Sequence, residues 1–245
     1  MNENYLPADT LDYLMGNNMR QLGDAFNWQR LRTEDIYALN LIQPLLTGPY
    51  VPFSSSALRP YCMAHILNDI IINGRNNVLE FGAGLSTLMI GRLIKRNNLN
   101  TRLVSVEHEA TWANLVQEML NKEALADCIE IIHAPLTPCH LAVNSNLWYD
   151  MDVLNNHFGN QIFDLVVIDG PPAYEAAKKE ARYPALPFIY NKLSPKCAVY
   201  LDDINREGEK SVIRKWEAEY PLRFEITGNT LACAFRGNNF NTALF

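Results

Sequence analysis

The 245-residue sequence lacks the features that mark several large classes of protein. Its five cysteines are odd in number and contain no C-x-x-C pair, so neither a disulfide framework nor a four-cysteine zinc site is indicated. No segment approaches the roughly eighteen apolar residues that could span a bilayer, and residues 1–4 include no basic or apolar leader. We therefore expect a cytoplasmic protein with reduced cysteines and no membrane contact.

The chain also lacks a basic patch that could bind a phosphate backbone. It has 27 acidic and 21 basic residues, a formal charge of −6, and its densest basic pair in the second half, Lys178 and Lys179, is flanked by Glu175 and Glu180. This pattern is typical of a solvated helix face and disfavours nucleic acid as a partner. The 48% apolar content fits one ordinary globular α/β domain.

From residue 77 onward, short apolar runs typical of buried parallel strands alternate with helical segments. The predicted strands are 78–81, 102–106, 128–132, 163–168 and 197–201, and the predicted helices are 86–96, 109–120, 174–182 and 206–219. Two more strands, 223–227 and 231–235, are joined by a short turn and must be antiparallel. We expect a three-layer, Rossmann-like α/β fold of seven strands, the last antiparallel, in residues 75–245.

Residues 1–74 are predicted to form an N-terminal helical extension that covers the pocket of this domain. Helices are expected at 35–46 and 62–72, with an ordered, proline-rich loop at 47–56 between them. A second long connection, residues 137–160, is expected to be a loop at the carboxyl ends of the strands. Its Trp148, Tyr149 and His157 are candidates for the wall of a binding site, or for packing of the loop itself.

The most informative segment is Val-Leu-Glu-Phe-Gly-Ala-Gly-Leu-Ser-Thr at residues 78–87, a strand that opens into a glycine-spaced turn. Gly82 and Gly84 remove two Cβ atoms where backbone must pass close to a ligand, and Ser86 or Thr87 can cap the next helix. The second strand ends in Glu107, 25 residues after Gly82, where an acid can accept ribose hydroxyls. These positions predict a nucleotide-like ligand.

Four blocks together resemble the class I S-adenosylmethionine-dependent methyltransferases, and within them the small bacterial proteins of the Methyltransf_24 type. The blocks are residues 78–87, residues 104–108 (Val-Ser-Val-Glu-His), residues 163–172 (Phe-Asp-Leu-Val-Val-Ile-Asp-Gly-Pro-Pro) and residues 200–203 (Tyr-Leu-Asp-Asp). The resemblance covers residues 77–235 and implies methyl transfer from S-adenosylmethionine to a small-molecule acceptor, most simply at oxygen. It also allows for a homodimer.

The resemblance implies roles for particular residues. The cofactor's methionine part would lie against the glycine turn, and its ribose and adenine would follow toward the second and third strands. The residues implied to bind the cofactor are Glu80, Gly82, Ala83, Gly84, Ser86, Thr87, Glu107, His108, the backbone at Ala134, and Asp169. His108 can equally be a partly exposed residue that leads into a helix.

Three aspartates follow the fourth and fifth predicted strands and are the candidates for chemistry. Asp169 and Asp202 are the predicted catalytic residues, because methyl transfer needs an aligned acceptor and a group that removes its proton. With Asp203 they could hold Mg²⁺ or another divalent cation through oxygen ligands. That layout resembles metal-dependent catechol-type O-methyltransferases, which have Asp-Asn where this chain has Asp-Asp. Alternatively Asp203 or Asn205 caps the next helix and no metal binds.

The sequence also allows other functions and other candidate sites. A nicotinamide-dependent oxidoreductase could use the same turn and Glu107, although Thr87 stands where its fingerprint has a third glycine. A cofactor-binding subunit without catalysis is a second alternative. A zinc site at His133, Cys139 and His140 lacks a fourth ligand, and His65 fits a core histidine. Arg59 could meet an anionic acceptor or lie on the surface.

Overall fold

The structure, a computed structural model, describes the backbone of residues 8–244 and the side chains of residues 18–244. Residues 1–4, from which the absence of a leader was inferred, lie outside the described part. The strands are β1 (Asn77–Phe81), β2 (Arg102–Glu107), β3 (Ile129–His133), β4 (Leu136–Pro138), β5 (Leu147–Tyr149), β6 (Phe163–Ile168), β7 (Leu193–Leu201), β8 (Phe224–Thr227) and β9 (Leu231–Arg236). The helices are α1 (Ala8–Ile42), α2 (Pro60–Ile72), α3 (Leu85–Asn97), α4 (Ala110–Lys122), α5 (Met151–Phe158), α6 (Ala185–Ile189) and α7 (Glu207–Glu219).

Seven strands form one sheet in the order β3-β2-β1-β6-β7-β9-β8. The pairs β3–β2, β2–β1, β1–β6 and β6–β7 are parallel, while β9 is antiparallel to both β7 and β8. The predicted fold, six strands in one direction and the last one reversed, is therefore confirmed. Because the order reverses between β1 and β6, a crevice opens at their carboxyl ends, where ligands of such sheets bind.

Alternate residues of each central strand enter two separate hydrophobic layers. In β6, Leu165 and Val167 pack with the layer of α2, α3 and α4, whereas Val166 and Ile168 pack with the layer of α5, α6 and α7. This alternation follows from the two-residue period of a strand. Both faces of the sheet are covered, which explains why its strands are continuous apolar runs.

Two sequence predictions on the second half of the chain are wrong. Residues 174–182 form only a short 3₁₀ turn at Ala176–Lys178, and Glu180 has a positive φ of 65°, outside the helical region. The carboxylate of Glu180 contacts Ser211 and Lys215 of α7, which holds the segment out of a helix. Residues 137–160 are not an open loop: they contain the antiparallel pair β4–β5 and helix α5. Trp148 and Tyr149 are fully buried there, which anchors the segment to the core.

In the N-terminal extension, the helix predicted at 35–46 is wrong in its bounds, because α1 begins at Ala8 and ends at Ile42, before Pro44. The helix predicted at 62–72 is confirmed as α2. All five cysteines are free thiols. Within residues 8–244, no helix is long and apolar enough to cross a membrane. The division of the chain at residue 74 stays a prediction, since α2 packs into the same core as the sheet.

A buried ionic cluster joins α2 to the sheet and to the C-terminal segment. Arg75 donates to both carboxylate oxygens of Asp69 at 3.0 and 3.2 Å, and the Tyr200 hydroxyl donates to Asp69 Oδ2 at 2.8 Å. Arg75 also reaches Asn239 Oδ1 at 2.7 Å. Asp69 and Arg75 have almost no exposed surface, so each charge depends on the other for compensation.

Removing the carboxylate at residue 69 is predicted to destabilise the fold strongly. Asp69→Asn leaves the buried Arg75 guanidinium without a counter-charge, which costs about 3–5 kcal/mol of unfolding free energy. Asp127→Asn is the matched control, because Asp127 is exposed and should change stability by less than about 0.5 kcal/mol. Urea unfolding followed by circular dichroism measures both. Equal stability of the two variants would contradict this assignment.

Candidate active site

The site begins at the turn after β1, whose backbone lies directly against the turn after β6. Gly82 has a φ of 101°, and a Cβ on it would lie 3.2 Å from the backbone of Asp169 and Gly170. A Cβ on Gly170 would lie 2.2 Å from the Tyr149 hydroxyl and 3.1 Å from Gly82. Both positions therefore require glycine, and the two turns form one continuous floor.

Gly84 has a different role in the same turn. Its φ of 175° is extended backbone that any residue can adopt, and a Cβ on it would meet no atom within 4 Å. The space next to Gly84 is part of a cavity. Neither backbone conformation nor packing within the protein explains a glycine here, so the open space itself points to a ligand that passes close to the backbone.

Glu80 and Thr87 hold the glycine turn from behind. The Thr87 hydroxyl accepts from Gly84 N–H at 2.9 Å and donates to Glu80 Oε2 at 2.5 Å, and Ser105 donates to the same oxygen at 2.6 Å. Burial raises the pKa of Glu80, while the hydroxyls of Ser105, Ser86 and Thr87 oppose this effect. Glu80, Ser86 and Thr87 do not line the cavity, so they support the turn rather than face a ligand.

Glu107 connects the turn to the end of β2. Its Oε2 accepts from Ala83 N–H at 3.2 Å, and its Oε1 accepts from the backbone of His108 and Glu109, each at 2.8 Å. Glu107 and His108 both line the cavity, as the ribose and adenine predictions require. Ala134 lies behind Glu107, bonded to its carbonyl at 2.8 Å, and does not reach the cavity.

A cavity of about 630 Å³ extends from this turn to the ends of β6 and β7. Its floor is the glycine turn, one side is formed by α4, and residues 52–57 of the N-terminal extension lie over it. The opposite end contains all three predicted aspartates, together with Tyr174, Arg182 and Arg206. A single cavity therefore joins the predicted cofactor residues to the predicted catalytic residues.

The structure brings Asp169, Asp202 and Asp203 together. One carboxylate oxygen from each lies within 4.8 Å of the others, and this is the one such cluster of potential metal ligands among the described residues. The sheet ladder aligns them, because Asp169 N–H donates to Phe81 O at 2.9 Å and Asp202 N–H to Ile168 O at 3.1 Å. Three neighbouring strands thus end at the same level.

Arg182 is buried in the middle of this cluster. Its Nη2 lies 3.2 Å from Asp169 Oδ1 and 3.0 Å from Asp203 Oδ2, and its Nη1 donates to the Asp202 carbonyl at 3.1 Å. Arg206 adds a second cation, 2.8 Å from Asp203 Oδ2. Asp203 therefore pairs with arginines instead of capping α7, whose N-cap Arg206 has no side-chain cap bond.

The carboxyl groups of the cluster differ in their surroundings. Burial and the neighbouring Asp203 raise the pKa of Asp202 to about 7, and its Oδ1 is buried without a hydrogen-bond partner. Burial and Asp202 raise the pKa of Asp169 well above its ordinary value, against the effect of Arg182. Asp202 can therefore exchange a proton near neutral pH.

Several other candidates lie elsewhere. Arg59 is held by Asp35, the Leu31 carbonyl and the Gly228 carbonyl, so it cannot face an acceptor in the cavity. Tyr149 lines the cavity, but Trp148 belongs to the core and the exposed His157 bonds its own helix. His65 is a buried core residue. His133, Cys139 and His140 form no metal-ligating cluster within the described chain.

Sequence reasoning missed three residues of the site: Trp112, Arg182 and Arg206. Trp112 lines the cavity and its indole N–H donates to the Ala83 carbonyl at 2.7 Å, which fixes the glycine turn from the side of α4. Arg182 was missed because a helix was wrongly predicted at 174–182, which gave no reason to place its side chain in the site. An arginine three residues after Asp203 was a local signal for Arg206, since residues that far apart around a helix start can pair.

Comparison with known proteins identifies the family. A family model described as a methyltransferase domain (Methyltransf_24) matches residues 79–204, slightly more than half of the chain. Among curated protein sequences, none matches this chain significantly. The matched region includes the glycine turn, Glu107 and all three aspartates of the cluster.

Solved structures share the fold at low sequence identity. An O-methyltransferase from Bacillus cereus, in complex with S-adenosylhomocysteine, is 16% identical with a TM-score of 0.50, over 83% of this chain and 91% of that one. A methyltransferase from Podospora anserina, bound to S-adenosylhomocysteine, is 13% identical with a TM-score of 0.52, over 97% and 100%.

A third structure, the O-methyltransferase of tomaymycin synthesis from Streptomyces achromogenes in complex with S-adenosylmethionine, is 16% identical with a TM-score of 0.50, over 82% and 90%. The family match separates this chain from the oxidoreductases that the glycine turn alone left open. With its seven-stranded sheet and reversed last strand, the chain belongs to the methyltransferase-domain family, and it is a class I S-adenosylmethionine-dependent methyltransferase.

Proposed function

We propose that this enzyme transfers the methyl group of S-adenosylmethionine to an oxygen atom of a small-molecule acceptor. The observation that carries the proposal is the single cavity that joins the glycine turn to the carboxylate cluster. The O-methyltransferases from Bacillus cereus and Streptomyces achromogenes, which share the fold, support oxygen as the acceptor atom.

In this proposal the cofactor lies along the floor of the cavity. Its methionine part would lie along Gly82, Ala83 and Gly84. Its ribose hydroxyls would donate hydrogen bonds to Glu107, and its adenine would lie beside His108. Glu80, Ser86, Thr87 and Ala134 act from behind by holding the turn and the end of β2 in place. Asp169 follows directly on the floor, so the sulfonium end of the cofactor comes close to the carboxylate cluster.

The reaction is an in-line displacement. A lone pair of the acceptor oxygen forms the new C–O bond, the C–S bond breaks, and its electrons leave with sulfur as neutral S-adenosylhomocysteine. Asp202 takes the acceptor's proton, since it lines the cavity and its pKa of about 7 suits a general base. Asp169 and Arg182 fix the orientation of that end of the site.

The carboxylates fit a divalent cation such as Mg²⁺ poorly. Arg182 Nη2 bridges Asp169 Oδ1 and Asp203 Oδ2, and Arg206 contacts the same Asp203 oxygen, so two guanidinium groups already occupy the carboxylates that would bind a cation. Asp202 Oδ1 is buried without a hydrogen-bond partner, and neither guanidinium contacts the Asp202 carboxylate. We therefore propose that the positive charge of this site comes from the arginines and that the reaction needs no metal.

The glycine turn yields a prediction that separates binding from folding. Gly84→Val points its side chain into the cavity and should lower S-adenosylhomocysteine affinity at least tenfold, with a melting temperature close to wild type. Gly82→Ala should instead lower the unfolding free energy by about 1–3 kcal/mol, because it strains a positive φ against the Asp169 backbone. Isothermal calorimetry and thermal unfolding test the pair. A Gly84→Val protein with normal affinity would refute this cofactor position.

The base assignment predicts a pH dependence. Only ionised Asp202 can accept a proton, so turnover should rise with pH, reach half its maximum near pH 7, and fall tenfold per unit below that. Asp202→Asn should lose at least 100-fold in turnover and also lose this pH step, while its affinity for S-adenosylhomocysteine is unchanged. An Asp202→Asn enzyme that keeps the wild-type pH profile would show that another group is the base.

The arginine-for-metal proposal is tested by chelation. Turnover in excess EDTA should stay within twofold of the untreated rate, whereas Arg182→Met should lose most of it, since Asp169 then lacks its buried counter-charge and Asp203 keeps only Arg206. Thermal unfolding of Arg182→Met in parallel identifies loss through misfolding. Activity that disappears with EDTA and returns with Mg²⁺ would overturn the proposal and make the three aspartates metal ligands.

A further inference from the structure

Residues 18–30 of α1 bury no side chain against the rest of the described chain, which they contact only through hydrogen bonds between Asn27 or Arg30 and the loop residue Asn229. From residue 18 to residue 30 every described side chain is exposed, and the first buried residue of the helix is Leu31. Helices gain most of their stability in proteins from tertiary packing of an apolar face. A long helix that leaves the body of the protein without such packing therefore calls for a second surface to cover it.

Large apolar side chains lie along α1 on the side away from the protein body. Met19, Leu22, Phe26, Ile36 and Leu41 are each about half to three-quarters exposed. At 3.6 residues per turn they fall within an arc of about 140°, whereas Leu31, Ala38 and Ile42 face the body. We call the five exposed residues the α1 stripe. An apolar stripe of this kind marks an interaction surface.

We propose that the α1 stripe binds the same stripe of a second copy, so that two α1 helices pair antiparallel in a homodimer. Four of the five residues of the stripe pair with one another when one copy is reversed, and Phe26 then lies opposite residues 32–34 of the other copy. Met19 then lies opposite Leu41 of the other copy, and Leu22 lies beside Ile36. Both pairs are centred at residues 29–30, as a twofold interface requires.

The size of the stripe reaches the minimum for a specific interface. Partly exposed side chains of this kind present on the order of 100 Å² each. Ten of them, five from each copy, therefore bury about 1,000 Å², which is the lower bound for a specific interface. Phe26 is the residue of the stripe nearest to the proposed twofold axis at residues 29–30, and it has the largest side chain. We therefore expect Phe26 to be the hot spot.

The charged residue beside the stripe, Arg30, does not oppose this pairing. Arg30, near the proposed twofold axis, is already paired with Glu34 at 2.6 Å and also donates to Asn27. The two copies of Arg30 therefore do not confront each other as free charges. The pairing also holds the section of α1 that supports the active-site roof, because Asp35 and the Leu31 carbonyl bind Arg59 just after residues 52–57.

Sedimentation equilibrium on the full chain tests the pairing. The wild-type protein should have twice the 27.9 kDa chain mass at micromolar concentration. Phe26→Glu should shift it to monomer, with normal helix content and normal S-adenosylhomocysteine binding. Trp28→Glu is the matched control, since Trp28 is equally exposed but lies outside the stripe, and it should remain dimeric. A monomeric wild type, or a Phe26→Glu dimer, would overturn the proposal.

Oxidative cross-linking tests the antiparallel register independently of any effect on folding. Gln29→Cys lies at the proposed axis and should form a disulfide-linked dimer, whereas Met19→Cys faces Leu41 of the other copy and should not. If both variants cross-link, the helices pair in parallel. If neither variant cross-links, this interface is excluded. A wild type that is monomeric and sediments with anionic phosphatidylglycerol vesicles would identify the stripe as a lipid-binding surface instead.

Discussion

The contact between two backbone turns, at Gly82 and Gly170, determines the geometry of this active site. A Cβ on Gly82 would lie 3.2 Å from the backbone of Asp169 and Gly170, and a Cβ on Gly170 would lie 3.1 Å from Gly82 and 2.2 Å from the hydroxyl of Tyr149 in β5. The ends of β1 and β6 are consequently held close enough to form one floor. The predicted cofactor residues come from the first turn and the first catalytic candidate, Asp169, comes from the second. The distance between the cofactor residues and Asp169 is therefore set by the packing of one main-chain turn on the other, and such packing is rigid.

The second organising feature is the way the site balances its charges. Three carboxylates at the ends of β6 and β7 would repel each other strongly in a buried setting. The buried guanidinium of Arg182 contacts groups from all three residues, and Arg206 joins from the start of α7. The arginine side chains contact the carboxylates of Asp169 and Asp203, whereas Arg182 reaches Asp202 only at its carbonyl. The arrangement therefore leaves the Asp202 carboxyl without a guanidinium partner, and its pKa of about 7 lets it exchange a proton.

The sequence predicts the floor of the site well because its signals are local. The apolar strand, the two glycines and Glu107 follow one another in short segments whose conformation depends on neighbouring residues. The same reasoning failed for residues 174–182, where the conformation depends on distant partners. Glu180 is drawn toward Ser211 and Lys215 of α7, and Arg182 toward the aspartates. A periodicity argument cannot detect such contacts, so it assigned a helix and missed Arg182.

The direction of side chains was also beyond reach of the sequence. Glu80 and Thr87 belong to the glycine motif, yet they bond each other behind the turn, while Trp112 of α4 lines the cavity although no motif marks it. Arg59 follows closely on residues 52–57, which lie over the cavity, but Asp35 and Gly228 hold its side chain away from the cavity. Membership of an element can be predicted from pattern, whereas the choice between lining and supporting a cavity depends on tertiary packing.

The central claim is that the cavity over the Gly82 turn binds the methyl donor with its sulfonium end toward the carboxylate cluster. A crystal structure of the protein with S-adenosylhomocysteine tests this most directly. The account predicts ribose hydroxyls within hydrogen-bond distance of Glu107 and the cofactor sulfur at the end of the cavity that contains Asp169 and Asp202. A cofactor bound in the reverse direction, or outside this cavity, would contradict it.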